Sequence, residues 1–287
     1  TLTVTASGDF TSNPDVTWVT VSGTTVTVTD NHSSATYGGM APGADLYLAG
    51  INGLSDTYLT NALKKMVEYA DAQGKPLVVS NSWGSGWGPR TGTGDWADLV
   101  AQYFGDSHPN RVILFAASND AGHKTGSEGG GYFVKKSSAS SSSPLGAIMR
   151  TDGDGGNDYS GLVACAWNAS NSTKLNCKIH VLNNSTGAVL TSWTVTTNGT
   201  SSFSGLSTYY TGSMTVYIEQ ENGKYRLAVY TENGLETTSS GAYTLAIEVY
   251  PSSGSANINM WSGDWSYFTN HLTTSGHTWT AGTDAMC

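Results

Sequence analysis

The chain has 287 residues, a formal net charge of -9 and only 12% charged residues, against roughly 25% in average soluble domains. That length accommodates two domains, each with its own core. The acidic balance and the scattered basic residues exclude nucleic acid and anionic membrane surfaces as electrostatic partners, and no apolar run approaches the ~20 residues of a membrane-spanning helix.

A make-up rich in Gly, Ser, Thr, Asn and Tyr suits a secreted, extracellular or cell-surface protein, and nothing in it bears on oligomeric state. No signal peptide opens the sequence, so Thr1 reads as a processed or artificial start. Of the three cysteines, Cys165 and Cys177 fall on neighbouring predicted strands, where they either bridge or stay as buried thiols, and Cys287 is left over.

Residues 1–36 alternate polar and apolar side chains in short runs, Leu2–Thr5, Thr17–Val21 and Thr25–Val28, with turns at Gly23 and Asn31. They predict short strands at the start of a first domain. From Tyr37 the pattern changes, and residues 37–132 read as an α/β core. Ala44–Ala49 predicts an apolar strand. Ser55 or Asp56 caps a helix whose Leu59, Ala62, Leu63, Met66, Val67 and Ala70 recur on one face, until Gly74 stops it and Pro76 forbids its return. Leu77–Ser80 predicts a buried parallel strand. A second helix carries Trp96, Leu99, Val100, Tyr103 and Phe104 and ends near Gly105; Arg111–Ala117 predicts a third buried strand. Strand, helix, strand, helix, strand predicts a right-handed parallel layer.

Residues 133–157 are Ser- and Gly-rich and read as a linker. Residues 158–263 read as all β, with strands at Leu162–Trp167, Leu175–Leu182, Val189–Val195, Met214–Gln220, Tyr225–Tyr230 and Tyr243–Tyr250. Asn222-Gly223 marks a hairpin. This spacing predicts an inserted sandwich or jelly roll. Residues 264–287 are expected to return to the first domain.

Three segments of the first domain carry chemistry. Gly39-Met40-Ala41-Pro42-Gly43-Ala44 comes first, Val78-Val79-Ser80-Asn81-Ser82-Trp83-Gly84 second, and Ala116-Ala117-Ser118-Asn119-Asp120-Ala121-Gly122 third. In order and rough spacing they resemble the central parallel strands of subtilisin-like serine peptidases, with a β-domain insertion similar to that of the spore-germination subtilases. The resemblance implies a peptidase acting on polypeptide substrates, without a cofactor. It implies that the Asn119 side-chain amide donates to the oxyanion of acyl transfer, a role that contributes roughly 3–4 kcal/mol. It also implies that Ser82, Trp83 and Gly84 line the substrate as an added strand, with Ser118 beside the specificity pocket where the family has glycine. Read without the resemblance, Asn119 is a turn residue at a strand end and Trp83 a half-buried aromatic.

The catalytic triad of that family is missing from these residues. His32 lacks a His-Gly-Thr-His context, Asp9, Asp15 and Asp30 lie in polar turns, and no Gly-Thr-Ser-Met-Ala occurs. Three explanations compete: part of a longer endopeptidase, inactive by itself; a pseudopeptidase; or a different triad using His123 or His271. A rival of another class is a binding module whose β domain recognises protein or glycan through Trp193, Tyr209 and Tyr210. For metals, His180 reads as a packing residue in mid-strand, and His271 and His277 lie six apart without a third ligand, which argues against zinc. Asp152, Asp154, Asn157 and Asp158 form an acidic loop that suits either a structural calcium ion or, more simply, a solvated turn.

Overall fold

The structure, a computed structural model, describes residues 2–5, 19–22, 25–28, 56–82, 92, 94–116, 130–151, 158–203, 206–263 and 266–283. The chain divides into two compact units, Thr1–Val79 with Ala101–Ile113, and Ser80–Val100 with Leu114–Cys287.

The first strands, β1 (Leu2–Thr5), β2 (Val19–Ser22) and β3 (Thr25–Val28), pair antiparallel in the order β1-β3-β2. Helix α1 spans Asp56–Gln73 and buries Leu59, Leu63, Val67 and Ala70, the face marked out by its sequence period. It ends on Gly74 at φ +62°. There Lys75 N–H donates to Ala70 O (3.0 Å) and Gly74 N–H to Asp71 O (3.0 Å), so two carbonyls of the last turn find donors.

Strand β4 (Leu77–Asn81) and strand β5 (Arg111–Phe115), with α2 (Asp95–Tyr103) between them in the chain, form a two-stranded sheet among the described residues. Leu77 N–H donates to Asn110 O and Ala116 N–H to Asn81 O, each at 2.9 Å. Residue numbers therefore rise together on both strands, and the pair runs parallel. The Arg111 guanidinium grips both carboxylate oxygens of Asp71 on α1, at 2.7 and 2.6 Å. This assigns Leu77, Val79, Arg111 and Ile113 to the face toward α1, and Val78 and Val112 to the opposite one.

That opposite face departs from expectation. Both strands were expected to be buried, yet Val78 is 66% exposed and Val112 49%. Nothing among the described residues covers the second face. The expected strand Ala44–Ala49 lies outside the described residues.

The rest is β-structure. Its strands are β6 (Phe133–Ala139), β7 (Leu145–Thr151), β8 (Tyr159–Asn168), β9 (Leu175–Asn183), β10 (Val189–Val195), β11 (Gly199–Phe203), β12 (Tyr210–Gly212), β13 (Met214–Glu221), β14 (Lys224–Thr237), β15 (Tyr243–Pro251), β16 (Ala256–Ser262) and β17 (Ser266–Thr269). One sheet has the order β10-β9-β15-β7-β17, the other β11-β13-β14-β8-β16-β6 with β12 also on β14, and every pairing is antiparallel. Met149, Ile179 and Ile247 of the first sheet and Ala166, Val229 and Met260 of the second belong to one buried cluster, so the two sheets pack face to face. Tyr159 bridges them: its hydroxyl donates to Met149 O (2.6 Å) and accepts from Leu245 N–H (3.1 Å).

Two sequence expectations are corrected here. The expected linker 133–157 contains β6 and β7, and β7 is buried along its whole length. Within the expected return segment 264–287, the described residues 266–283 stay with the β-structure: β17 extends the first sheet, and Phe133 and Thr283 exchange backbone hydrogen bonds of 3.1 and 2.8 Å. Of the two readings left open for Cys165 and Cys177, the structure shows buried thiols, one in each sheet. Cys177 faces the shared core while Cys165 packs with Leu162 and Ala228 outside it, and burial pushes the Cys177 thiol up.

Candidate functional site

Parallel strands deliver their carboxyl ends to the same edge of a sheet, where open α/β folds bind ligands. Here β4 hands over to an exposed Ser82 and β5 to Ala116. The Ala116 N–H to Asn81 O bond ties those ends together, and the Asn81 side-chain amide adds a 3.0 Å bond to Leu114 O. The chain on either side of this clasp leads to Trp83-Gly84 and to Ser118-Asn119. Ser82 directly follows the carboxyl end of β4. Trp83, Gly84, Ser118 and Asn119 lie outside the described residues, as do His32 and His123.

Other candidates are placed directly. Tyr210 is 0% exposed in the sandwich core, and Trp193 and Tyr209 pack against the same core, with Tyr209 edge-on to Tyr243 at 5.0 Å. Burial removes Tyr210 from any glycan platform. Asp158 accepts a 2.8 Å bond from Thr237 N–H, while Asp152, Asp154 and Asn157 lie outside the described residues. His271 Nε2 lies 3.3 Å from Asn184 Oδ1.

A second constellation had no counterpart in the sequence reading. On β9, Leu175, Cys177, Ile179 and Val181 face the core, so His180 points to the other face of its sheet. In register, His180 stands between Ser192 of β10 and Ala246 of β15, with Glu248 one pleat further along β15. The tail returns over this face, where Trp279 packs with Ile148, Leu182 and Ala246 and brings His277 beside Glu248. His180 Nε2 lies 3.2 Å from Glu248 Oε2, His277 Nδ1 lies 2.8 Å from Glu248 Oε1, and His180 Nδ1 lies 2.8 Å from Ser192 Oγ. Burial pushes the Glu248 carboxyl up, but hydrogen bonds from His180 and His277, reinforced by their charge, outweigh it and leave its pKa below the ordinary value. No spacing rule links positions 180, 248 and 277. The one signal was a carboxylate, Glu248, inside an otherwise apolar strand.

The family model of the Subtilase family matches residues 19–223. The chain belongs to the subtilase family. Among solved structures, the CspB protease of Clostridium perfringens is similar at 15% identity with a TM-score of 0.44, over 78% of this chain and 42% of that one. The chain thus spans less than half the length of that protease. No curated protein matches the sequence. None of the helices in the described residues is long and apolar enough to cross a membrane.

Proposed function

We propose that the chain is part of a secreted subtilisin-like serine endopeptidase, carrying its oxyanion asparagine and substrate-cleft strand while the Asp, His and Ser of the triad lie outside these residues. The observation that carries this reading is the subtilase match over 19–223, which contains the Ala-Pro, Ser-Trp-Gly and Asn119 segments in family order. The clasp between the ends of β4 and β5 supports it, since it holds together the two strand ends, Asn81 and Ala116, after which those two segments follow in the sequence.

In this reading, peptide substrate lies extended along Ser82-Trp83-Gly84 and bonds through its backbone, so grip does not depend on its sequence. Attack by the serine creates a tetrahedral intermediate, and the Asn119 amide donates to its oxygen before an acyl-enzyme forms. The β domain is read as a jelly roll. Strands β6-β16-β8-β14 opposite β7-β15-β9-β10 support that reading, because the chain crosses between sheets at most connections.

Replacing Asn119 by Ala in the intact peptidase is expected to lower kcat on a peptide substrate about 10²–10³-fold with KM little changed. A fluorophosphonate probe is expected to label the intact protein and not the 287 residues alone. Unchanged kcat in N119A, or labelling of the 287-residue chain, would overturn the assignment.

A further inference from the structure

His180, Glu248 and His277 bring two imidazoles and a carboxylate together on the outer face of the β10-β9-β15-β7-β17 sheet, and their ligand atoms all lie within 4.8 Å of one another. We infer that these three side chains form a zinc site that fastens the tail around His277 to this sheet. It is independent of the peptidase chemistry assigned to the other end of the chain.

The first argument is geometric. Zinc bonds of about 2.0–2.1 Å set neighbouring tetrahedral ligands about 3.3–3.4 Å apart. The two imidazole-to-carboxylate distances here, 3.2 and 2.8 Å, need only small outward movements to admit an ion. The second is the donor set. Two neutral imidazoles and one carboxylate suit a borderline cation such as zinc better than calcium or magnesium, which take oxygen ligands.

The third is orientation. A ligating histidine needs its other ring nitrogen held, which fixes tautomer and ring plane. Ser192 Oγ does this for His180 from 2.8 Å on Nδ1, so Nε2 faces Glu248. His277 is held differently. Its ring stacks on Trp279, with centroids 5.3 Å apart and planes 5° from parallel, and lies edge-on to His180 at 4.7 Å. Trp279 is itself fixed by a 2.9 Å bond from its indole N–H to Thr274 Oγ1.

The fourth is access. His180 is 2% exposed at its side chain, Glu248 11% and His277 21%, so the pair on the sheet is preorganised while the third ligand borders solvent. An ion can enter from the tail side, and a water molecule can complete four-coordination. Since the ligands come from β9, β15 and the tail, the ion would join segments far apart in sequence and stabilise the folded state only.

The test uses the 287-residue chain, stripped with a chelator and then titrated with Zn²⁺ or Co²⁺. The expected result is one zinc per chain after gel filtration, visible d–d bands of low-coordinate Co²⁺, and a zinc-dependent rise in Tm together with slower proteolysis of the tail. Glu248→Gln, which keeps the shape of the side chain, and His277→Ala, the most exposed of the three, are each expected to weaken binding at least about tenfold. Circular dichroism is used to check that each variant is folded, and one folded variant suffices for the comparison. Zinc uptake with equal affinity in the wild type and a folded variant would overturn the site. So would absence of uptake by the wild type, leaving a hydrogen-bonded His–Glu–His network.

Discussion

Tyr159 shows how one side chain ties the β-sandwich. It is the buried phenol that spans both sheets, and burial, only partly offset by its hydrogen bonds, raises its pKa above the ordinary 10. A group that resists ionisation in the folded state stabilises that state at and below its ordinary pKa. The contribution is lost as pH rises above 10, because the unfolded chain releases the proton first. Tyr159→Phe removes both the hydrogen bonds and this alkaline sensitivity. At pH 7 the variant should lose about 1–3 kcal/mol, since Met149 O and Leu245 N–H each lose a partner. Between pH 10 and 11 its stability should fall less steeply than that of the wild type. Urea unfolding at both pH values tests this, and parallel pH profiles would refute it. His180 was read as a packing residue, and it is buried in its strand. The register adds what no local pattern signals, placing Ser192 and Glu248 on its two ring nitrogens.

Strands and turns were legible in proportion to their local signals. Helix α1 followed its apolar period and its glycine stop, and Val189–Val195 was bounded correctly. The Asn222-Gly223 turn was legible too, both residues having positive φ, 48° and 75°. Strands β6 and β7 were hidden by composition. Ser-rich residues 137–143 read as low complexity, yet a tight turn at Ser140–Ser143 carries the chain from β6 in one sheet to β7 in the other. The tail from 270 to 283 has no period of its own because it is shaped by close approach to the sheet. Gly146 is the clearest case: a Cβ there would meet Thr278 O at 2.5 Å and the Trp279 ring at 3.1 Å. Thr280 N–H, next in line, bonds Gly146 O at 2.8 Å. Gly146→Ala should therefore lift the tail off the sheet at a cost of roughly 1–3 kcal/mol. Limited proteolysis is expected to cut the variant after Thr269 much faster than the wild type. Equal rates of cleavage would mean that the tail does not depend on this contact.

Family membership was legible from three ordered segments, and the all-β character of the larger part from alternation alone. What the sequence could not reveal was how completely each part covers its apolar surface. The sandwich closes on itself, with two inner faces sharing one cluster. Among the described residues, strands β4 and β5 do not: their apolar sequence signalled burial on both faces, and α1 accounts for only one. Val78 and Val112 stand side by side in the parallel register on the other face, with Leu114 further along β5, also exposed at 55%. Exposed apolar strands of this kind promote association between chains. If the remaining segments of a subtilase normally cover this face, the 287-residue chain should expose it alone, bind a hydrophobic dye and self-associate with rising concentration. Replacing Val78 and Val112 together by Thr keeps β propensity while adding a hydroxyl at each position. The double variant should bind less dye and remain monomeric to a higher concentration in light scattering, whereas the intact peptidase should show neither behaviour. Dye binding and association unchanged in the double variant would show that another surface is responsible.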